Sequence, residues 1–558
     1  MRTLLVPSAL ALLACGLAAQ STNNSTVYMA PATKSEGIRS ALSTQASTVV
    51  TADGHFWTTS YWYDTSKTPN LRETRLFEST DSGKSWTQVT KVRTANGAYS
   101  AMAVDPDGST IHVAWQGRTN ASATYEWGVW YGKFDTKTKT WVGSDLAIFP
   151  PSGTGSYDQV TWPNVAVNNS GLVLVSGMKS NGWSAYFKVW DGSVWSSETK
   201  LQGGSYSKCH NVLAGPDDCF HFCYQSGGTY TAYYRRYDPA KKAFGAEGEI
   251  LVKAGISNDM NLALSPSGDI WMTYITSAGS AAANPGTIEV AHAQIGTWKF
   301  TTYPIWTDTR TPFVLTWGNY AFYNIQMARS GDRTMVLYTI PNGTPSGTKT
   351  YPGPLYARDW NGSGFNAQRT LIAAASNAEI TFPLARSDRD AGCGLWLAYS
   401  RLIYDNATPP NLIGTALTTL VEPAVVAGYG LGCAASGAAM PTTMGDDIPY
   451  LGNKGFGLTL RNGKASSAAV CFIGGSMTQF GPIPLPFDLT PLGWAGCRLY
   501  TDILLAIPAP IATTGECALP LPVPNDSSLN GAAINHQWAY IDGTRLYFTN
   551  AGMMYLQP

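Results

Sequence analysis

A turn followed by a short apolar strand that ends in an aromatic residue recurs along most of this chain. The turn residue falls at Gly54, Gly108, Gly171, Asp218, Gly268, Gly331 and Asp390. The strands that follow are 55–61, 110–115, 172–178, 219–224, 269–274, 333–338 and 394–399, and all but one end in Tyr or Trp. A second turn with a late aromatic closes the units at Trp86, Trp141, Trp195, Phe244, Trp298 and Phe365. The units are spaced roughly fifty to sixty residues apart, room for four strands each. One such unit cannot bury its apolar faces alone, so the units must stack on one another.

The period predicts a seven-bladed β-propeller over residues 20–420. A short strand at 26–30 is expected to complete the blade that holds Tyr399, which leaves no sheet edge free. Composition agrees with many strands and turns. Gly (56), Pro (33), Trp (19) and Tyr (29) are abundant and charged residues are only 13%.

Ser79-Thr80-Asp81-Ser82-Gly83-Lys84-Ser85-Trp86 reads S-x-D-x-G-x-x-W. Asp81 can cap its own turn, Gly83 permits positive φ, and Trp86 can tuck beneath the sheet. This stretch resembles the Asp-box (BNR repeat) of sialidase-like β-propellers, where Ser79, Asp81, Gly83 and Trp86 would be a structural fastener. That family has six blades, against seven units here. The resemblance implies an arginine triad for a substrate carboxylate, a Tyr–Glu nucleophile pair and an Asp acid/base. Gly37-Ile38-Arg39-Ser40 is the nearest match to the first arginine, without the usual proline. Asp64 matches the acid position, and Arg310 and Arg386 stand where the other arginines are expected. No Tyr–Glu pair is evident in the sequence.

Seven residues before each turn position stand Ser47, Ala101, Asn164, Asn211, Asn261, Asn324 and Pro383. The asparagines are read chiefly as amide clamps between neighbouring blades. Just upstream lie Trp162, His210, Asp259 and Tyr323, at the entrance to the inner strands, on one rim. Trp62, Tyr63 and Trp317 are candidate platforms for sugar rings. Three functional classes follow: glycan recognition on the rim, with weak hydrolysis at most; an active glycan-cleaving enzyme; or a protein-interaction scaffold. The enzyme is either a sialidase-like glycoside hydrolase or a propeller polysaccharide lyase. The lyase form needs a His or Tyr to take a proton beside a uronate carboxylate, and His210 and Tyr323 are the candidates.

Lys+Arg and Asp+Glu are 37 each, which gives no electrostatic case for nucleic acid. No cofactor or metal motif occurs, and no later run is long and apolar enough for a membrane span. Residues 1–19 read as a secretory signal, with Arg2, an apolar core at 4–14 and Ala18-Ala19 before Gln20. Export to the medium, cell surface or periplasm is expected, with lipid anchoring at Cys15 as the lesser alternative.

Residues 421–558 change character. Short strands between Gly/Pro turns predict a small β-sandwich. Its phrases Pro449-Tyr450-Leu451-Gly452-Asn453, Leu492-Gly493-Trp494-Ala495-Gly496-Cys497 and Asn535-His536-Gln537-Trp538 resemble a C-terminal module recurrent on secreted bacterial proteins. Export permits disulfides. A cross-strand bridge is expected between Cys209 and Cys223, and two bridges among Cys433, Cys471, Cys497 and Cys517.

Overall fold

The computed structural model describes residues 25–556 apart from 32–33, 38–47, 52–54, 65–70, 81–84, 95, 119–125, 152–158, 203–206, 227–230, 255–259, 265–267, 278–285, 308–325, 331–332, 340–353, 361–363, 373–377, 386–394, 405–411, 423–425, 431, 436–437, 439, 446–448, 450 and 530–531. Among these residues there is no α-helix. Two 3-10 turns, Thr490–Leu492 and Ser527–Leu529, interrupt an otherwise all-β chain. The expected signal and the Asp-box core, Asp81 and Gly83, lie outside the described residues.

The repeat becomes seven antiparallel sheets in chain order. Sheet 2 pairs Ser100–Val104, Thr110–Arg118, Trp127–Asp135 and Thr140–Phe149 as successive neighbours. Sheets 3 to 6 repeat this plan from Val160–Val167, Ser207–Ala214, Asn261–Leu264 and Gln326–Ser330 as first strands. In sheet 1, Lys34–Gly37 and Thr48–Val50 both pair with the same edge of Phe56–Asp64. They form one first strand interrupted by residues 38–47. Sheet 7 is Ala378–Ala385, Leu395–Tyr404 and Leu412–Glu422, completed by Ser25–Pro31, which pairs antiparallel with Leu412–Glu422. The N-terminal strand therefore lies in the sheet that holds Tyr399, as expected.

The first strand of each sheet packs on the first strand of the next, from Thr48–Val50 through Ala378–Ala385, and Leu412–Glu422 of sheet 7 packs beside Lys34–Gly37. Second strands are covered on both faces, so Thr110–Arg118 and Phe220–Ser226 are buried along nearly their whole length, polar residues included. Fourth strands are outermost, and Ala243–Lys253 is exposed or half-buried along its whole length.

The late aromatics fasten one sheet to the previous one. Trp195 meets Tyr131 of sheet 2 edge-on at 5.1 Å. Phe244 meets Phe187 of sheet 3 at 5.9 Å, Trp298 stacks on Tyr234 of sheet 4 at 6.1 Å, and Phe365 meets Trp271 of sheet 5 at 6.1 Å. Such pairs add about 0.5–1.5 kcal/mol each beyond their buried area. Turns dock as well. Asp218, at φ +61°, accepts from the backbone N–H of Asn169 at 2.7 Å and of Ser170 at 3.2 Å, while the Asn168 amide donates to its carbonyl at 2.9 Å. The asparagine clamp is present at Asn261, whose Oδ1 accepts from Met327 N–H of the next first strand at 3.1 Å. Asn164 and Asn211 are buried at the equivalent places.

Residues 426–555 form a five-stranded sheet ordered Val426–Tyr429, Arg545–Tyr555, Ala533–Asp542, Ala468–Gly474, Leu505–Pro510, and a three-stranded sheet of Thr442–Gly445, Gly457–Arg461 and Cys517–Pro520. One apolar cluster including Phe456, Leu458, Leu460, Ile473, Trp538 and Phe548 lies between them. Gln537 is fully buried and fully used. Its Nε2 donates to Arg498 O and Thr549 O, each at 2.9 Å, and its Oε1 accepts from Tyr500 N–H at 2.9 Å. Gly430, at φ +71°, is required because a Cβ there would fall 2.5 Å from the Tyr500 ring.

The cysteine expectations are met in part. Cys433 and Cys497 are bridged. Cys471 and Cys517 are both buried thiols in the same core, and no second bridge forms between them. The Cys209–Cys223 bridge is also not formed. A bulge at His210 sets Cys209 opposite Tyr224 and Asn211 opposite Cys223. Cys209 therefore joins the core shared with sheet 3 and Cys223 the core shared with sheet 5, on opposite faces. Mapping of non-reduced peptides should recover Cys433–Cys497, with alkylation at Cys209, Cys219, Cys223, Cys471 and Cys517 after unfolding. A bridged Cys209–Cys223 peptide would contradict the bulged register.

His536 is fully buried in the C-terminal core with no hydrogen-bond partner for either ring nitrogen, and burial pushes its pKa down from 6.5 to about 3. The folded state thus holds it neutral, and the stability this represents is complete above about pH 6.5 and lost as pH falls toward 3. Each pH unit below 6.5 should cost up to about 1.4 kcal/mol. Acid unfolding monitored by Trp538 burial should show that slope, and His536→Leu should flatten it between pH 6 and 4.

Candidate functional site

The two ends of the seven sheets differ. First and second strands are joined by tight turns, such as Asp105–Gly108, Asn168–Gly171 and Gly215–Asp218. Third and fourth strands meet at that same end. The opposite end receives every second-to-third connection and every connection between sheets, including 119–125, 152–158, 278–285, 308–325 and 340–353. Long connections held by a rigid scaffold are where ligand-binding groups gather.

At that rim the first strands are bulged. The ladder slips between Thr161 and Asn164 in sheet 3, between Cys209 and Asn211 in sheet 4, and between Thr381 and Leu384 in sheet 7. The inserted residues are Trp162-Pro163, His210 and Phe382-Pro383. A bulge frees a residue from the ladder and re-aims it, which is why bulges gather beside active sites. Trp162 sits at φ +55° and is half-buried. Trp183, in the connection after the second strand of sheet 3, sits at φ +46° and is also half-buried. Its carbonyl accepts from Ser207 N–H at 2.6 Å, so it stands over the start of the sheet 4 first strand. Left-handed backbone costs a bulky residue about 1–3 kcal/mol, and such strain collects at ligand sites.

Between sheets 1 and 2 the rim carries arginines on tryptophan faces. Arg118 lies 4.2 Å and Arg72 5.5 Å from the Trp127 ring centre. Trp62, expected as an open platform, is 6% exposed and has the Arg75 guanidinium 3.9 Å over its ring. Arg75 is in turn held by Glu73 at 2.9 Å, and Glu73 also accepts from Lys91. Burial opposes ionisation of Glu73, but those two cations keep its carboxyl below the ordinary range. The Trp62 face is thus occupied by the protein itself.

The other sequence candidates divide by position. His210 and Asp64 fall within Ser207–Ala214 and at the end of Phe56–Asp64, and Tyr63 precedes Asp64. Asp64 pairs with Lys34 and Leu71 at the rim end of sheet 1. Arg39, Asp259, Arg310, Trp317, Tyr323 and Arg386 lie outside the described residues. Ser79 and Trp86, the flanks of the Asp-box, are both buried.

Two Tyr–Glu pairs, invisible in the sequence, are formed across strands, and the first is hydrogen-bonded. Tyr224 donates to Glu249, and Tyr274 stands beside Glu289, which also takes Lys253 at 3.1 Å. Burial, reinforced by the adjacent carboxylate, pushes both hydroxyls far above the ordinary tyrosine range. A nucleophile needs the opposite shift. Repeat position explains the pairs better: Tyr338 donates likewise to Gln368 at 2.7 Å, and Trp115 Nε1 to Thr94 at 2.6 Å. Tyr224 and Tyr338, which end the second strands of sheets 4 and 6, find acceptors farther out in the same repeat, and Trp115 finds one in the connection that enters sheet 2.

A second polar cluster lies at the turn end of sheet 4. His221 Nε2 meets Asp217 at 2.8 Å and Nδ1 meets the Tyr234 hydroxyl at 2.5 Å, while Arg236 joins Asp217 and Glu247, each at 2.8 Å. His221 and Tyr234 are fully buried. Burial raises the Asp217 carboxyl, but His221 and Arg236 outweigh it and hold the group well below its usual value. Ionised Asp217 fixes the ring with Nε2–H donating, so Nδ1 accepts from Tyr234. His112 and Tyr131 repeat the pair in sheet 2 at 2.7 Å. The cluster is internally satisfied and closed to a reactant. Among the described residues no group of three His, Cys, Asp or Glu could hold a metal ion, and no helix is long and apolar enough to cross a membrane.

No protein-family model and no curated protein matches this chain. Among solved structures, it is similar to the polysaccharide lyase Uly1, with TM-score 0.44 and 12% identity over 75% of this chain and 95% of that one. It is similar to the α-L-arabinofuranosidase Arb93A from Fusarium graminearum, with TM-score 0.37 and 16% identity over 60% and 96%. A third likeness is to an α-L-arabinanase from Penicillium chrysogenum, with TM-score 0.36 and 14% identity over 57% and 93%. Likeness this distant does not bear on substrate or chemistry, which follow from the chain's own residues.

Proposed function

We propose that this chain is an exported, seven-bladed β-propeller with a C-terminal two-sheet unit, and that its rim binds a carbohydrate. The observation that supports the reading is the pair of bulges, at Trp162-Pro163 and at His210, that interrupt the ladders of adjacent first strands near the rim, with Trp162 half-buried there at φ +55°. A sugar ring presents a C–H face to an aromatic face and hydroxyls to a neighbouring polar group. Trp162 supplies the first, with Trp183 beside the start of the next first strand, and His210 supplies the second. The apolar run at 4–14 before Ala18-Ala19 supports export.

Binding without appreciable hydrolysis is the form we favour. A sialidase-type reaction needs a tyrosine made nucleophilic by its glutamate, and Tyr224 and Tyr274 are shifted the other way. Arg39, Asp64, Arg310 and Arg386 remain the residues that such a reaction would require. A lyase is the second reading, in which His210, at the bulge of a first strand, would take a proton from a bound uronide.

Glycan-array binding by the full chain should find ligands, and Trp162→Ala should weaken them about tenfold or more, the worth of a stacked ring. His210→Ala should weaken binding less and leave the array pattern recognisable. Tyr224→Phe should lower stability by about 0.5–1.5 kcal/mol, the net worth of one hydrogen bond, since exposed Glu249 takes water in its place, and leave binding intact. Turnover of a fluorogenic sialoside, abolished by Arg39→Ala or Asp64→Ala, would establish the hydrolase instead. Release of unsaturated uronides that His210→Ala abolishes would establish the lyase. Absence of any glycan ligand would refute the carbohydrate reading.

A further inference from the structure

Two contacts among the described residues join the C-terminal sheets to the repeats at the turn end. The third strand of sheet 7, Leu412–Glu422, runs from the rim toward the turns, and Val426–Tyr429 follows directly and packs against Gln326–Ser330, the first strand of sheet 6. Far along the chain, the Arg498 guanidinium donates to the Asp107 carbonyl in the first turn of sheet 2.

Chemistry at the second contact is complementary. The sheet 2 turn, Asp105-Pro106-Asp107-Gly108, carries two carboxylates where the sheet 3 turn is Asn168-Asn169-Ser170-Gly171. Asp105 accepts from Ser109 and Thr110 N–H at 3.0 and 3.1 Å, and Asp107 accepts from Ser109 N–H at 2.8 Å. Burial works against the Asp107 charge, but hydrogen bonds from Asp105 and Ser109 and the Arg498 charge hold its carboxyl below the ordinary range. The cation is itself pre-positioned. Arg498 pairs with Asp488 across a short ladder, and its carbonyl is fixed by the buried Gln537.

We propose that the turn end of the repeats is the docking surface for the chain's own C-terminal sheets, locked by Arg498 on the Asp105–Asp107 turn. The two units then move as one body, and the rim is the end left open to a ligand. The proposal stands independently of which ligand the rim takes. It also assigns the C-terminal unit a role: it closes the turn end rather than hanging from a free linker.

Limited proteolysis of the full chain at the 423–425 junction tests it. A lost charge-assisted hydrogen bond should raise the open population, so Arg498→Glu should speed cleavage there about ten- to hundredfold. Calorimetry should resolve the single wild-type transition into two. Arg498→Lys should fall between. Asp107→Asn keeps an acceptor for Ser109 and removes only the charge, so it should speed cleavage on its own even where Arg498→Glu fails to fold. Junction cleavage at the wild-type rate in Asp107→Asn, or two transitions already in the wild type, would overturn the proposal.

Discussion

Each four-stranded sheet in this chain has two apolar faces, and neither can be covered from within the sheet. Everything else depends on how neighbours cover them. The second strand is sealed on both sides by adjacent sheets, which is why Trp115, Tyr224, Tyr274 and Tyr338 are fully buried. The late aromatics Trp195, Phe244, Trp298 and Phe365 cross from one sheet to the one before it. Loss of one sheet would therefore expose faces on two others, and the repeats stand or fall with their neighbours.

Burial on that scale decides what the polar groups can do. A buried hydroxyl or indole without a partner costs about 1–3 kcal/mol, so acceptors are supplied from strands farther out. Glu249 and Gln368 serve Tyr224 and Tyr338 in that way. The resulting Tyr–Glu pairs look like chemistry when distances alone are considered. Their environment says otherwise, because desolvation and a neighbouring carboxylate both oppose phenolate formation. The His221 and His112 clusters follow the same rule at the other end, where histidine, tyrosine and aspartate satisfy one another.

The two ends of the sheets are built differently. Tight turns, docked carboxylates and the C-terminal contact make the turn end rigid. At the rim, bulges and left-handed tryptophans break the ladder where long connections arrive. Under the proposed function, such strain on a stiff scaffold would lower the ordering cost of binding.

How much was legible in the sequence follows from the range of each interaction. The repeat, the turns and the strand-ending aromatics are local, so the seven-fold period, the all-β class and the N-terminal strand of sheet 7 could be read directly. That Trp162 and His210 stand near the starts of first strands was legible because the count back from each turn is fixed. What tertiary structure alone decided is register and facing. One bulge at His210 sends Cys209 and Cys223 to opposite cores, although the sequence sets them symmetrically about a turn. Trp62 reads as an open platform until Arg75, two residues along from its partner Glu73 in the next strand, is seen to cover it. Trp183 carried one readable signal, the Gly182 before it, but its place over Ser207 is a contact between sheets. Tyr224 and Glu249 are neighbours only because the third strand lies between them in one sheet. A single chain states its periods plainly, whereas which face a side chain shares is settled by pairing across strands that the sequence keeps apart.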